Sequence, residues 1–454
     1  MTKRIGEMHA FALRNLPLFG ITPLRSILSP QLFLEAQDRP SGVSTILIPE
    51  IVFWLMATVA LTRQSMAGAV TGFWSTCGHL WALPGLHPVT EEAFCIARRK
   101  LKGRFFKKVF EAVIRRYQGR FPDRYRWKGL RLLGIDGMKI TLPASGRLTR
   151  FFPPASNQLG ACKRAQGLLV GLVGLFDGLC YDFKLTSSKG SEQKCARRMI
   201  GRSLGPGDLL LCDKNFPDYQ TLALLTLRGA DYLFRLQSKR FDHYRPSPTG
   251  SGSSHEWYIT LELPQRIRRK HPHLPESVTT RVLRYQIPGF RPSLLITSLV
   301  DIETYDYASL VSLYHERWRQ ETMHREWKYS LSMSEFRSHT IRGIFKEVYV
   351  QLILNNVLRW LMSESCEGTS WRPVDLKYLQ CKRLLLSFTN TMAQAPIWQL
   401  PWIYKCLVAE IGHQKIHVRP GRSYPRKGDN KMRCKGHNYY VPPARILPQE
   451  AGTQ

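Results

Sequence analysis

Three acidic residues stand where a catalytic centre could be assembled: Asp136 in LRLLGID, Asp213 in DLLLCD and Glu321 in YHERWRQETMHREWK. Converging carboxylates are hard oxygen ligands for divalent cations. Phosphoryl transfer with two metals about 3.5–4 Å apart needs several of them, to place the attacking hydroxyl and neutralise the leaving oxygen. Glu321 is the least ordinary of the three. On a helical wheel at about 100° per residue, Tyr314, Arg317, Glu321 and Lys328 share a sector of roughly 60°. Glu321 is the only carboxylate on a face that also carries Arg317, Trp318, Arg325 and Lys328, while Glu316 and Glu326 fall on the far side with Arg319. Glu326→Gln is on that basis expected to be a nearly silent control. Each acid also has a structural explanation. Arg317, Glu321 and Arg325 are four residues apart and could form surface pairs worth about 0.3–0.5 kcal/mol each. Asp136 precedes Gly137, a turn-forming pair like Asp177 with Gly178. Asp213 could simply end its strand ahead of a helix entered through Pro217.

The elements around these acids favour a shared site. LRLLGID reads as a buried strand ending at Asp136, and AQGLLVGLVGLF with GLCYDFKLT reads as a hairpin turning at Asp177 and Gly178. A polar helix (SEQKCARRMIGRSL), a strand (DLLLCD), a second helix (PDYQTLALLTL) and a strand (DYLFRLQ) follow. Three strands, helix, strand, helix, strand is the order of a ribonuclease H-like α/β core, a mixed sheet flanked by helices. The last helix of such a core arrives late, near Tyr307, and carries Glu321. Between lie PSPTGSGSS and the strand-like pieces EWYITLEL, SVTTRVLRYQI and SLLITSLV. Residues 238–296 are therefore expected to be a mostly β insertion, with the core at 129–237 and 297–343. Helical regions are expected on either side, at 1–128 and 344–454.

Charge indicates the partner. The 454 residues contain 66 Lys and Arg against 34 Asp and Glu, a formal net charge of +32, yet 43% are hydrophobic, so disorder does not explain the charge. So basic a folded surface implies a polyanion, most commonly nucleic acid. Fourteen Lys or Arg lie between Arg98 and Arg131 with only Glu111 and Asp123 against them. They alternate with Phe105, Phe106, Val109, Phe110 and Val113 at helical spacing, which predicts an amphipathic helix whose basic side suits a DNA backbone. A second run, nine Lys or Arg from Lys415 to Arg445 against Asp429, marks the C-terminal stretch. The run IVFWLMATVAL is too short to cross a bilayer and follows Pro49 and Glu50, a good helix entrance. No export signal opens the chain, and the ten cysteines show no CxxC pair and no zinc spacing, so reduced thiols and a cytoplasmic location are expected.

Tyr314, Arg317, Glu321 and Lys328 match in full the signature Tyr, two residues, Arg, three residues, Glu, six residues, Lys. On these residues, with GIDGMKITLP and LLLCDKNFPDY, the chain resembles the bacterial insertion-sequence DDE transposases of the family named after insertion sequence four. The likeness runs from LIPEIVFWLMATVAL to SYPRK. It departs at Lys214, where an arginine is common, and in a short insertion, which leaves no clear base-holding role for Trp257. The resemblance implies that Asp136, Asp213 and Glu321 hold two Mg2+ ions, with Mn2+ as a substitute. It implies that Arg317 and Lys328 grip phosphate oxygens, with a hydrogen bond from Tyr314. Trp318 would stack on or wedge beside an extruded base, its alternative being a core aromatic. It further implies double-stranded DNA partners (element ends and target), a homodimer holding both ends, and a nucleoid-associated location. Two other functions remain open: a metal-dependent nuclease on the same core, and a non-catalytic basic DNA-binding protein derived from a transposase.

Overall fold

A computed structural model of the protein describes residues 36, 47–76, 89–154, 156–157, 160–161, 164–237, 255–286 and 292–417. The linker PSPTGSGSS and the cations beyond Lys415 lie outside the described residues. Its centre is one sheet of nine strands. In chain order these are β1 (Arg126–Trp127), β2 (Leu130–Thr141), β3 (Gln166–Gly174), β4 (Cys180–Ser187), β5 (Asp208–Cys212), β6 (Asp231–Arg235), β7 (Glu256–Glu262), β8 (Ser277–Tyr285) and β9 (Ser293–Thr297). Their spatial order is β4-β3-β2-β5-β6-β9-β8-β7, with β1 beside β2. The β2–β5 and β5–β6 ladders are parallel and the others antiparallel, a mixed sheet. The strands at 256–297 do not stand apart; they extend this sheet from β6.

Apolar runs explain the centre. Every residue of DLLLC (β5) and SLLIT (β9) is buried, as expected of strands covered on both faces. Alternation then sorts β2: Leu132, Met138 and Ile140 belong to one core, Leu133 and Ile135 to the other. The second core is closed by α6 (Glu192–Ser203) and α7 (Tyr219–Arg228). The first is closed by α1 (Pro49–Thr62), α4 (Gly103–Arg120) and α11 (Ile341–Ser365). Helix α1 buries most of IVFWLMATVAL, and α11 is buried around most of its circumference, so both are interior helices. The amphipathic helix expected near Phe105 is α4. It buries Phe105, Phe106, Val109, Phe110 and Val113 and leaves Arg104, Lys107, Lys108, Arg115, Arg116 and Arg120 exposed. The remaining helices are α2 (Met66–Thr76), α3 (Glu91–Lys100), α5 (Gly146–Phe151), α8 (Gln265–Lys270), α9 (Tyr307–Tyr314), α10 (Trp318–Arg325), α12 (Tyr378–Gln394) and α13 (Leu400–Gly412).

Three expectations are corrected. Strand β2 does not end at Asp136 but continues to Thr141, because β3 pairs with it from Leu133 through Thr141. The signature segment is not one helix. A 3-10 turn, His315–Arg317, separates α9 from α10, and a π-helical turn, Glu326–Ser330, follows. The winding tightens and then widens, so a single wheel does not describe its faces. Glu326, placed on the far side by that wheel, is no surface residue: it pairs with Arg359 of α11, which is 1% exposed.

Candidate active site

Register brings the first two acids together. In the parallel β2–β5 ladder Gly134 pairs with Leu211, the last pair formed. Asp136 and Asp213 each lie two residues further, on the face to which Leu132, Leu209 and Leu211 point. Beyond Gly134 only the β3 side of β2 is paired, so the two aspartates flank an opening at the end of the shorter strand. Asp136 is held by the Gly137 amide on its Oδ1, at 2.8 Å. Asp213 receives the Asn215 amide on Oδ1 at 2.8 Å and the Asn215 side chain on Oδ2 at 3.3 Å.

Glycines let the third element approach. A methyl group on Gly134 would lie 2.6 Å from Oε1 of Gln320, and one on Gly171 would lie 2.8 Å from the Trp327 ring. Their bare backbones admit α10 and the turn after it directly onto β2 and β3. Trp327 is fully buried there and donates to Asn355 Oδ1 of α11 at 3.1 Å. Upstream, Tyr314 is buried and its hydroxyl donates to the carbonyl of Cys212 at 3.3 Å, tying the end of α9 to the residue before Asp213.

Arg317 connects the parts. It is 9% exposed, donates from Nη2 to Glu321 Oε1 at 3.2 Å, and its positive charge also acts on Asp213 and Asp136. The ion pair offered as the structural explanation for Glu321 therefore exists, and it sits against the two aspartates. His324, three residues beyond Glu321, brings Nδ1 to 3.9 Å from Asp136 Oδ2. Burial pushes this imidazole down to about 4, so it is neutral at pH 7. Burial pushes Asp136 up to about 6, with repulsion from Asp213 and Glu192 adding to it and the Gly137 amide opposing it. Trp318 is 48% exposed with Arg317 over its ring at 5.2 Å, and Lys328 is exposed beside Tyr329.

The structure thus gathers Asp136, Asp213, Tyr314 and Arg317, reaches Glu321 through Arg317, and sets Lys328 and Trp318 at the surface. Among the described residues no three His, Cys, Asp or Glu side chains are close enough to enclose a metal ion. The donors nonetheless suit a hard divalent cation. Asp136 and Asp213 are oxygen donors whose mutual repulsion a cation would relieve. Sequence reasoning missed His324, Glu192 and Gln320. The spacing of His324 from Glu321 was a usable signal, since i and i+3 share a helix face; Glu192 and Gln320 depend on tertiary contacts alone.

The family described as "Transposase DDE domain" matches residues 127–357, about half of the chain. The structure of a piggyBac transposase synaptic complex with hairpin DNA aligns over 90% of this chain and 88% of that one, at 10% identity and a TM-score of 0.45. "Transposase InsG for insertion sequence element IS4", of Escherichia coli strain K12, is 24% identical over 414 residues, which is 89% of this chain and 91% of the relative.

Proposed function

Because this chain belongs to the DDE transposases of the family named after insertion sequence four, we propose that it binds the terminal inverted repeats of its own element, cleaves the ends with a divalent metal and joins the 3′ ends to target DNA. The observation that carries the proposal is the β2–β5 register, which sets Asp136 beside Asp213 under the segment bearing Arg317 and Glu321. Asp136, Asp213 and Glu321 would hold the cations, Mg2+ or Mn2+. A bound divalent cation supplies charge neutralisation and activation of the attacking hydroxyl. The chain's own residues do the rest. Arg317 and Lys328 present cations to phosphate oxygens, and Arg317 has a buried Nε available for one. Trp318, exposed at the mouth, offers a ring to a displaced base. Tyr314 fixes the end of β5 through Cys212, and its hydroxyl borders the same opening. The test is nicking of a labelled end duplex with and without Mg2+; strand transfer in the same reaction separates a transposase from a nuclease.

The region 1–128 is proposed to hold the ends, with α4 supplying cations to the backbone, and the end complex is proposed to be a homodimer whose mass light scattering would report. Each phosphate neutralised steepens the salt dependence of binding by about 0.9 in log K against log salt. The Arg104→Gln/Arg115→Gln double variant is therefore expected to bind ends with a slope shallower by about 1.8 if both side chains meet phosphates. An unchanged slope would remove this face of α4 from the interface.

Asp136 sets a pH dependence. Its folded value, about 6, lies above its unfolded one. The ionised carboxylate is therefore the costly form: the cost is absent below the unfolded value of 3.8, builds as pH rises from there to about 6, and is fully present above it. Without divalent cation, the chain should unfold at a higher temperature at pH 5 than at pH 7, so far as this group decides it. Cation binding runs the other way, because the ligand must be deprotonated. Mn2+ affinity is expected to fall about tenfold per pH unit below 6, and flat Mn2+ titrations between pH 5 and 7 would contradict a ligand role for Asp136.

A further inference from the structure

The segment that carries Arg317 and Glu321 is gripped from behind by one short turn. Pro373–Asp375 is a 3-10 turn between α11 and α12. It is closed on itself: the Asp375 amide donates to the Arg372 carbonyl at 2.8 Å, and Asp375 Oδ2 accepts from the Arg372 amide at 3.2 Å and from Arg372 Nε at 3.0 Å. Two side chains then reach the start of the signature segment. Asp375 Oδ1 pairs with Arg319 Nη1 at 3.0 Å, Arg372 Nη1 pairs with Glu316 Oε1 at 3.5 Å, and Arg319 pairs with Glu316. Glu316, Arg319, Asp375 and Arg372 thus make a closed ring of alternating charge. Arg372 fastens the ring to the sheet, its guanidinium lying 4.4 Å over Phe176 between β3 and β4. The same turn also holds the far end of the segment, because the Pro373 carbonyl accepts from Arg359 Nη1 at 3.1 Å and Arg359 pairs with Glu326.

Residues three apart share a face in both 3-10 and α windings, so Glu316 and Arg319 face the turn together. Arg317, between them, faces Glu321 and the aspartates instead. Rotation of this stretch would carry Arg317 away from them. The Glu316–Arg319 pair travels with the segment and cannot fix its rotation; the bonds to Arg372 and Asp375, from far downstream in the chain, can. The four side chains are 22–28% exposed, so each pair adds little to stability and the consequence of the ring lies in direction. We infer that the Arg372–Asp375 turn is a positioning device for the signature segment: Asp375 and Arg372 hold Glu316 and Arg319 so that Arg317, and Glu321 paired with it, are set against Asp136 and Asp213. The inference rests on the transposase reading of this centre. The four ring residues act through Arg317 and Glu321 and not on the DNA itself.

The experiment measures nicking of the labelled end duplex by the full chain at saturating Mg2+ and duplex, beside gel-shift affinity, with every rate read well below the melting temperature of the variant. Asp375→Asn is expected to lower the saturated rate about tenfold to a hundredfold, the scale of a misplaced catalytic group, with end affinity unchanged because the loss falls on the transition state alone. Arg319→Gln should lower the rate comparably. The double variant should cost little more than either single one, because both break the same ring. Asp375→Glu restores the charge and should recover part of the rate. A ring that only fastens α11 and α12 to the core would lower the melting temperature and leave the saturated rate alone. A parental rate in Asp375→Asn, losses that multiply in the double variant, or no recovery in Asp375→Glu would overturn the inference. Asp136→Asn keeps the two claims apart. If it abolishes nicking while Asp375→Asn nicks like the parent, only this inference fails; if it nicks normally, the proposed function fails and this inference with it.

Discussion

Replacing Glu321 with glutamine is expected to abolish Mg2+-dependent nicking and strand transfer while leaving end binding intact. The substitution keeps the size of the side chain and its ability to accept from Arg317, and removes one negative charge. A metal in phosphoryl transfer stabilises developing charge by several kcal/mol, and each 1.36 kcal/mol is tenfold in rate, so losing a ligand should cost on the order of a thousandfold. Binding should hold or tighten, because a carboxylate facing phosphate is gone and Arg317 is released to meet it. The competing explanation is the 3.2 Å Arg317–Glu321 ion pair. Were Glu321 only that partner, on a side chain 42% exposed, the change would cost under about 1 kcal/mol of stability and leave the chemistry alone. Glu303, exposed in the loop before α9, is the suitable silent control as Glu303→Gln.

Glu326→Gln should be far from silent. Glu326 and Arg359 form an ion pair whose side chains are 15% and 1% exposed, and Arg359 Nη1 also donates to the Pro373 carbonyl at 3.1 Å. Burial raises the Glu326 carboxyl even against the pull of Arg359. Removing the negative charge leaves a guanidinium enclosed without compensation, which costs about 3–5 kcal/mol when one partner of a buried pair is deleted. The expected result is a large drop in the denaturant midpoint with the slope preserved, and loss of nicking at 37 °C through unfolding. An unfolding free energy within about 0.5 kcal/mol of the parent would mean that the pair is open to water.

These two glutamates also show what the sequence could disclose. As candidates, Glu321 stands out by the fixed signature around it, and Asp136 and Asp213 by the apolar runs that lead up to them. The order of strands and helices was legible for the same reason: buried parallel strands are written as short uninterrupted apolar runs. Glu326 was misjudged because a wheel of constant pitch cannot anticipate a 3-10 turn at His315–Arg317 and a π turn at Glu326–Ser330. Those changes of winding accompany the seating of Trp327 on Gly171 and Gln320 on Gly134, contacts between residues about 155 and 185 positions apart. Glu192 was invisible for a related reason: its helix was readable, but its proximity to Gly137 depends on how that helix lies across the sheet. The end of β2 was misplaced because Asp-Gly signals a turn in isolation, whereas here the amide of Gly137 binds the Asp136 carboxylate within a continuing strand.

The central claim is that Asp136 and Asp213 form a metal site that cuts DNA. Its most direct test is cleavage of a labelled duplex carrying one end of the element, by the parent chain and Asp213→Asn side by side, with and without Mg2+, after gel shift has shown equal binding. The account predicts a nick at the boundary of the element only for the parent and only with Mg2+. Cleavage by Asp213→Asn at a comparable rate, or cleavage by the parent that persists in a chelator, would contradict it.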